Sequence, residues 1–572
     1  MTDSGVRLIG GEMLKWSDEA GDSGRLPVRG AVLAELLTQV VPSGSRVLFA
    51  GPHDRALVRQ VARRAASVTC LLRSLSDGSD LAGGPDDVEV WCGALDKLGG
   101  AGDFDVVVAL DGLDRLDTPD SCPLGWREVL TRLAQMVVSG GRLVVAVENE
   151  LGVHRLVEVD RSEMRQANQW WQLAGRWAAD PAQLNAVLAE AGLPQAMWYA
   201  GYPRPGVPEL LLDARAAAEC VPGSVPARLL DAACSGDLGD RLLLGDPREL
   251  VAGAVRGSLA DRLAPFWVVV ADPSGTKLPG ALVQEGGPDP RWAVVSSLEV
   301  DSGRWLRRPA TEPAVVRTSG RVTRDPGRLT GRVPGGSSLE QQLLAACRSH
   351  DLPAIRSLLR GYAAWLAGQQ AGDHLPGWGM FATFDNVAND RDRFALLDPG
   401  WAWTERVEPA DALARVLRRF AIRLVESDTP RPWPSSLDVH ELTRVLHAIV
   451  GAPADDRTLY DGIRLEAEIE ATLRGEAAEE QARLEASLVV GGPGAMLNRP
   501  RGYRELVAAH TLLSQELQHQ RARAASAERQ LRAVENQLDK VQGTLRAVRA
   551  SASFRAGRVA TMPLRRLRRL TR

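Results

Sequence analysis

The sequence predicts an α/β protein with three successive parts. Residues 1–215 should form a doubly wound domain around a mainly parallel sheet, residues 220–480 a two-lobed α+β domain, and residues 501–549 a coiled-coil helix. Three patterns support this division. Short runs rich in Val and Leu alternate with helical patterns near the start. Strand-like runs precede helical ones in the middle, and an unbroken 4, 3 apolar spacing occupies the end.

Composition limits the classes of protein to consider. The 572 residues carry 69 basic and 72 acidic side chains, a net charge of -3, so no overall field favours nucleic acid as a partner. The six cysteines form no Cys-x-x-Cys pair, which favours a reduced, metal-free, cytoplasmic protein. The start, MTDSGVRLIGGEMLKW, has no apolar h-region, so we expect no signal peptide, and no apolar run reaches about 18 residues, so we expect no membrane span.

The first part contains a regular series of strand and helix signals. Its apolar runs are short and separated by helical stretches, which is typical of parallel strands covered on both faces. The predicted strands are RVLFA, SVTCLL, VEVWCG, FDVVVAL and GRLVVAVEN, followed by the helix PAQLNAVLAEAGL and the strands AMWYAGY and ELLLD.

The second part changes character at about residue 335. Before it, the strand candidates FWVVVADP, GALVQEG and WAVVSSLEV are separated by Gly and Pro. After it, helical periodicity dominates, and Ser337 or Ser338 is a suitable helix cap. The Gly/Pro-rich stretch VVGGPGAMLNRPRG then predicts a linker.

The third part has the apolar spacing of a coiled coil over about six heptads, which predicts a homo-oligomer. A single amphipathic helix packed on the body is the alternative, but a sustained 3.5-residue period drifts off a straight helix face. Leu531, Leu538 and Leu545 occupy one seam position and Val534, Val541 and Val548 the other, which favours more than two strands, while His510 and Gln520 depart from this pattern. The seam residues are Leu506, His510, Leu513, Leu517, Gln520, Ala524, Ala527, Leu531, Val534, Leu538, Val541, Leu545 and Val548.

The terminal segment, residues 550–572, is strongly basic. Eight arginines lie between Arg549 and Arg572 without an acidic residue, and Leu564, Leu567 and Leu570 recur among them. A basic amphipathic helix of this kind favours contact with an anionic membrane surface or a partner protein. The alternative is a solvated tail.

The stretch SRVLFAGPHDRALVRQVA has the order strand, glycine turn, helix. By its strand order and motif spacing over about 180 residues, this part resembles the class I S-adenosylmethionine-dependent methyltransferases, which have a Rossmann-like fold. The resemblance implies S-adenosylmethionine as cofactor, with Gly51 and Asp54 in the binding turn. The turn departs from the family pattern at three places, because Phe49 replaces an acidic residue and His53 and Arg55 replace glycines.

Later positions follow the same resemblance. Asp96 lies where the family's adenine-contacting acid would be, and Asp111 follows the fourth predicted strand of the series, near the methyl acceptor, as the candidate catalytic residue. Leu72 stands where the family usually has an acid for the ribose hydroxyls. Ends of parallel strands near a topological switch point are where such sheets bind ligands.

The segment after GRLVVAV narrows the resemblance. Glu148, Asn149, Leu151 and Gly152 are similar to the ENxLG segment of methyltransferases that travel with cell-surface polysaccharide genes. This similarity implies a cofactor contact for Asn149. The alternative is a polar strand end that caps the next turn.

The middle domain contains Asn386 and, twelve residues later, Asp398, a pair that resembles the metal-binding pair of protein-kinase-like phosphotransferases. A β-hairpin with a polar turn at Asn389 and Asp390 is equally consistent with this stretch. Phe381 replaces the expected catalytic Asp. A kinase also needs a lysine on a strand of its small lobe to pair with the phosphates, but Lys277 lies in a turn. Arg317 is a candidate substitute, although a guanidinium and an ammonium group are not interchangeable. We therefore expect a kinase-like fold without Mg-ATP turnover.

Taken together, the order of parts resembles the kinase-methyltransferases that terminate O-antigen chains in bacterial polysaccharide export. This resemblance implies a methyltransferase of cell-envelope glycan biosynthesis, cytoplasmic, with peripheral contact at the inner face of the plasma membrane. Glycan or glycosyltransferase partners are implied in the same way. The alternative is a catalytically inactive scaffold that binds the same partners.

Overall fold

A computed structural model gives the fold of most of the chain. It separates into two compact units, Met1–Arg499 and Pro500–Arg572, which are described independently. The residues that the structure describes are 5–20, 25–84, 87–98, 103–122, 124–158, 181–193, 196–235, 243, 245–287, 289–310, 315–426, 429–434, 437–475, 481–483, 485, 517, 538, 540–544 and 546–547.

The strands of the first unit form one large mixed sheet and two small ones. The large sheet has 13 strands among the described residues, and each small sheet has three. The strands are β1 Val6–Gly10, β2 Arg46–Ala50, β3 Ser67–Leu72, β4 Glu89–Gly93, β5 Phe104–Ala109, β6 Val137–Glu148, β7 Ala196–Tyr202, β8 Leu210–Asp213, β9 Phe266–Ala271, β10 Ala281–Glu285, β11 Val294–Asp301, β12 Arg304–Pro309, β13 Arg317–Ser319, β14 Val322–Arg324, β15 Gly331–Arg332, β16 Ser337–Ser338, β17 Val387–Asp390, β18 Arg393–Leu396 and β19 Trp401–Trp403.

The helices cover the sheet in the first half and dominate the second. Most begin at an Asp or Ser whose side chain accepts a hydrogen bond from the first turn, as at Ser338, one of the two predicted caps. They are α1 Ala31–Val40, α2 Arg55–Ala62, α3 Leu75–Ala82, α4 Trp126–Gln135, α5 Val153–Val157, α6 Pro181–Glu190, α7 Ala214–Ala218, α8 Val225–Ala233, α9 Pro247–Arg256, α10 Leu339–Arg348, α11 Leu352–Ala367, α12 Pro409–Glu426, α13 Val439–Val450 and α14 Asp456–Arg474.

Strands β2 to β6 confirm the predicted doubly wound sheet, and β1, which the sequence did not predict, joins it at the edge. Their spatial order is β1-β4-β3-β2-β5-β6, and all their pairings are parallel. From β2 the chain proceeds to β3 on one side and later to β5 on the other. The carboxyl ends of β2 and β5 therefore flank a topological switch point, where an open α/β sheet forms its ligand crevice.

Beyond β6 the sheet crosses the boundary that the sequence suggested at residues 215–220. Strand β9 lies between β6 and β7 and pairs antiparallel with both. All six of its residues are buried. The pairing then continues through β8, β10, β11, β12 and β15. The division into domains at 215 stays a prediction, but the sheet of the first part is completed by a strand from the second.

The rest of the first unit has the α+β character expected of residues 220–480. Two small antiparallel sheets, β13-β14-β19 and β16-β17-β18, accompany helices α10 to α14. An apolar core runs through this part, with Leu343, Tyr362, Leu417 and Leu446 fully enclosed. The kinase-like identity of the fold stays a prediction.

Most of the predicted coiled coil, residues 501–549, and all of the tail, residues 550–572, lie outside the described residues. Of the predicted seam, Leu517, Leu538 and Val541 are described and exposed. In the described part of the chain, no helix combines the length and apolarity needed to cross a membrane.

The position of β9 predicts a strong effect of core truncation there. We expect Val269→Ala to lower the free energy of unfolding by about 2 kcal/mol, because it removes two buried methyl groups between β6 and β7. Urea unfolding measures this change. Val300→Ala, at an exposed site of β11, is the control and should change stability by less than about 0.5 kcal/mol. Equal effects of the two substitutions would contradict the placement of β9.

Candidate functional site

The candidate site is the crevice at the carboxyl ends of β2 and β5. Strand β2 ends at Ala50 and is followed by Gly51, whose φ of 89° lies in the left-handed region that glycine adopts freely. The glycine that the sequence retained thus has the turn conformation expected of it. Asp54 caps α2 by accepting a hydrogen bond from the Ala56 amide at 2.8 Å.

His53 fills the space between the two strand ends. Its Nδ1 lies 2.9 Å from the Gly51 carbonyl oxygen, and its Nε2 accepts the Leu110 amide proton at 3.1 Å. The Phe49 ring packs edge-on against the imidazole at 5.0 Å. Burial lowers the pKa of His53 to about 4, and the nearby Arg115 charge acts in the same direction. The ring is therefore neutral at pH 7 and joins the two strands directly.

Asp111, the candidate catalytic residue, lies at this crevice but is already paired. Its carboxylate binds the Arg115 guanidinium in a buried pair. It also accepts a hydrogen bond from the Val28 amide at 3.0 Å. The Asp111 side chain is 3% exposed, so its oxygens are held by the protein rather than presented to a ligand.

An N-terminal segment, which we call the strap, crosses the crevice. The strap comprises residues 12–20 and 25–29. At one end the Met13 amide donates to the Arg73 carbonyl at 2.8 Å and the Met13 carbonyl accepts from the Leu75 amide at 3.1 Å. At the other end the Val28 carbonyl accepts from the Asp54 amide at 2.9 Å. The strap therefore joins the ends of β3 and β2.

Asp18 is the central charged residue of the strap. Arg73, directly after β3, donates two hydrogen bonds to its carboxylate at 2.7 and 2.8 Å, and Arg115 lies 3.7 Å away. All three side chains are almost completely buried. Burial by itself would raise the pKa of Asp18, but the hydrogen bonds and charge of Arg73 lower it to about 2. Asp18 is thus a fully ionised counterion for two buried arginines.

Little space remains beneath the strap. A cavity of about 10 Å³ lies between Gly51, Leu72, Asp77 and the pair formed by Arg55 and Glu19, which is room for about one water molecule. Arg55 donates to the two Glu19 oxygens at 3.1 and 2.8 Å. Arg55, which stands where the family turn has a glycine, therefore helps to close the crevice.

The two remaining residues of the predicted cofactor set are also engaged. Asp96 accepts a hydrogen bond from the Cys122 amide at 3.0 Å and pairs with Lys97. Asn149 donates to the carbonyls of Arg262 and Ala264 at 2.7 and 2.8 Å and accepts from the Leu151 amide at 3.0 Å. For Asn149 this geometry supports the alternative in which it caps the turn after β6.

S-adenosylmethionine, the cofactor that the resemblance implies, would have to lie in this crevice at the carboxyl ends of β2 and β5. The side chains of His53, Asp18 and Arg73 occupy the space around the strand ends, and the remaining cavity is far smaller than a nucleoside. Leu72 offers no hydrogen-bonding group to a ribose. In this arrangement the residues of the crevice do not fit the cofactor.

The second candidate site flanks the hairpin of β17 and β18, which is the hairpin that the sequence allowed. Its turn is at Arg391 and Asp392, both with positive φ, rather than at Asn389 and Asp390. Asn386 donates to the Phe381 and Asp398 carbonyls at 2.8 and 3.1 Å and accepts from the Asp398 amide at 2.8 Å. The Asn386 side chain thus fastens the two ends of the hairpin.

Asp398 pairs with an arginine that the sequence did not single out. Arg324, at the end of β14, binds its carboxylate, is fully buried, and lies 4.4 Å from the Trp401 ring centre. Arg317, the substitute candidate, instead donates to the Pro290 carbonyl at 3.0 Å. Among the residues described, no cluster of three or more His, Cys, Asp or Glu side chains could hold a metal ion. Asp398, one of the two predicted metal ligands, instead forms an ion pair with Arg324.

Sequence reasoning missed Asp18, Arg73, Arg115 and Arg324. Arginine is common in this chain, and the partners in three of the four ion pairs are separated by more than 50 residues. Only the pair of Asp111 and Arg115 has a local spacing, four residues, which could have suggested it.

No protein-family model and no curated protein matches this chain.

Solved structures match part of this chain at low identity. The chain complexed with the Haloferax volcanii Trm112 methyltransferase activator is 16% identical, with 45% of this chain and 90% of that chain covered and a TM-score of 0.26. Geranyl diphosphate C-methyltransferase of Streptomyces coelicolor A3(2), solved with S-adenosyl-L-homocysteine, is 13% identical. The match covers 42% of this chain and 74% of that chain, with a TM-score of 0.24. A geranyl diphosphate methyltransferase solved with S-adenosylmethionine is 15% identical. The match covers 42% of this chain and 84% of that chain, with a TM-score of 0.23.

The neutral His53 predicts a specific pH dependence. Its folded-state pKa of about 4 lies below the ordinary value of 6.5, so the unfolded chain binds the extra proton and stability falls as the pH drops through this interval. We expect His53→Gln to reduce the loss of unfolding free energy between pH 7 and pH 5 by about 2 kcal/mol. Urea titrations at both pH values measure it. Equal losses in variant and unaltered chain would refute the buried neutral histidine.

The pair of Arg324 and Asp398 predicts a loss of stability rather than of metal binding. We expect Asp398→Asn to lower the free energy of unfolding by about 3 kcal/mol or more, because it leaves a buried guanidinium without its counterion. The double variant Arg324→Met/Asp398→Asn should recover part of this loss, and the exposed Asp390→Asn serves as control. Magnesium should not change the melting temperature of the unaltered chain. A magnesium-dependent rise abolished by Asp398→Asn would instead support the metal site.

Proposed function

We propose that this chain is a non-catalytic member of the methyltransferase type, acting as a binding scaffold in cell-envelope glycan assembly. One observation carries the non-catalytic part of the proposal. The crevice where a doubly wound sheet would hold its ligand is filled by His53 and by the ion cluster of Asp18, Arg73 and Arg115. Opening it would leave buried charges without partners, at a cost of about 3–5 kcal/mol for each broken pair.

The glycan context rests on the sequence. It is supported by the ENxLG segment with Glu148 and Asn149 and by the order of the parts. In the same proposal the C-terminal heptads join copies of the chain, and the basic tail contacts an anionic membrane surface at the inner face of the plasma membrane. Glycan or glycosyltransferase chains are the partners that such a scaffold would hold.

Methylation is the second candidate function. It is favoured by the retained turn at Gly51 and by the position of Asp111 at the switch point. The solved structures with S-adenosylmethionine and its homocysteine product point to the same cofactor for this candidate. For it to operate, the strap and the His53 ring would have to leave the crevice, with Asp96 then available to an adenine.

Calorimetry of the full chain with S-adenosylmethionine separates the two functions. We expect no saturable heat at ligand concentrations up to the millimolar range, because the crevice has no room for the cofactor. S-adenosylhomocysteine, which lacks the methyl group and the charge, should give the same result. A dissociation constant below about 100 μM, weakened tenfold or more by Asp96→Ala, would establish cofactor binding and favour methylation.

A further inference from the structure

The strap is held in the crevice by hydrogen bonds to its backbone and to its side chains. Asp77, in the first turn of α3, accepts hydrogen bonds from the backbone amides of Asp18 and Glu19 at 2.8 and 3.3 Å. It also accepts the Ser17 hydroxyl proton at 2.6 Å. A carboxylate that accepts two successive amide protons is suited to a polypeptide backbone. The same carboxylate would repel a phosphate.

The side chains of the four residues Trp16, Ser17, Asp18 and Glu19 each have a receptor group. The Arg73 guanidinium lies 5.3 Å from the Trp16 ring centre, within cation-π range. The Ser74 hydroxyl donates to the Trp16 carbonyl at 2.6 Å, which fixes the backbone at the start of this stretch. The ring and the backbone carbonyl of Trp16 are therefore bound by two successive residues, Arg73 and Ser74.

The two acidic side chains meet the cationic part of the crevice. Asp18 lies between Arg73 and Arg115, and Glu19 pairs with Arg55 at the rim. Charge-assisted hydrogen bonds of this kind are about twice as strong as neutral ones. Removing the strap would leave Arg55 and Arg73 without these counterions.

We propose that this crevice is a binding site for an acidic peptide segment, occupied here in cis by residues 16–19 of the same chain. Its ligand is a short segment that enters a turn, with an aromatic residue followed, two and three positions later, by two carboxylates. The site recognises the backbone through Asp77 and the charges through Arg55, Arg73 and Arg115. In this proposal, the crevice at the switch point, where such sheets bind ligands, binds a peptide, and residues 16–19 of the chain occupy it.

The test uses full-length Asp18→Ala and a synthetic peptide of residues 12–20, EMLKWSDEA, with blocked termini. In the variant the cis segment has lost its central carboxylate, whereas the peptide retains it. We expect the apparent melting temperature of the variant to fall by at least about 5 °C. Millimolar peptide should then restore at least half of this loss. Asp120→Ala, at an exposed site, is the matched control variant and should melt like the unaltered chain.

Fluorescence anisotropy of a labelled peptide gives the second measurement. The peptide should bind Asp18→Ala at least tenfold more tightly than the unaltered chain, where the tethered segment competes at a high effective concentration. A peptide with Asn in place of Asp18 should neither bind the variant nor restore its melting temperature. If both peptides act equally, or if neither binds a variant that remains folded, the proposal is wrong. Should the variant not fold, Glu19→Gln, which removes only the rim pair with Arg55 from the cis segment, takes its place with the same expected preference for the unaltered peptide.

This inference rests on the same closed crevice as the proposed scaffold function, but the two can fail separately. Binding of S-adenosylmethionine by the unaltered chain would overturn the scaffold function. Selective peptide binding by Asp18→Ala would still establish the peptide site. Conversely, a chain that binds neither cofactor nor peptide would retain the scaffold function and lose the peptide site.

Discussion

The buried pairing of Asp18 with Arg73 and Arg115 is the interaction on which the architecture of the first half depends. An ionised group cannot be buried without a partner at tolerable cost, so these three side chains must stay together. Arg73 follows β3, Arg115 follows β5, and Asp18 belongs to the strap. One carboxylate thus connects three segments that are far apart in sequence, at the place where the sheet would otherwise be open.

The two candidate sites share a feature that explains why neither presents a free carboxylate. In the first, Asp111 pairs with Arg115, and in the second, Asp398 pairs with Arg324. In both cases the acid expected to face a ligand or a metal has a buried arginine as counterion. The Arg115 guanidinium binds both carboxylate oxygens of Asp111, whereas Arg324 binds one oxygen of Asp398. Each acid therefore lies at the position that the sequence predicted, but its charge is neutralised by an arginine of the same chain.

The continuity of the large sheet also bears on how the chain can work. Strand β9 is fully buried between β6 and β7, although it follows β7 by more than 60 residues. A sheet shared in this way couples the part that contains the crevice to the part that contains the hairpin. Fold type by itself does not determine activity, and here the side chains at the strand ends decide what the frame can bind.

The sequence by itself determined the elements that depend on neighbouring residues. The alternation of apolar runs located β2 to β6, the glycine predicted the turn at Gly51, and Ser338 was one of two predicted caps. Only the tertiary structure decided that β9 enters the first sheet, that His53 bridges two strand ends, and that Asp18 neutralises two arginines. These contacts join residues about 55 or more positions apart, and no local pattern specifies which of many arginines a buried carboxylate will meet. Residue types and spacing therefore predicted where the crevice lies, whereas its closure became visible only from the distances between its side chains.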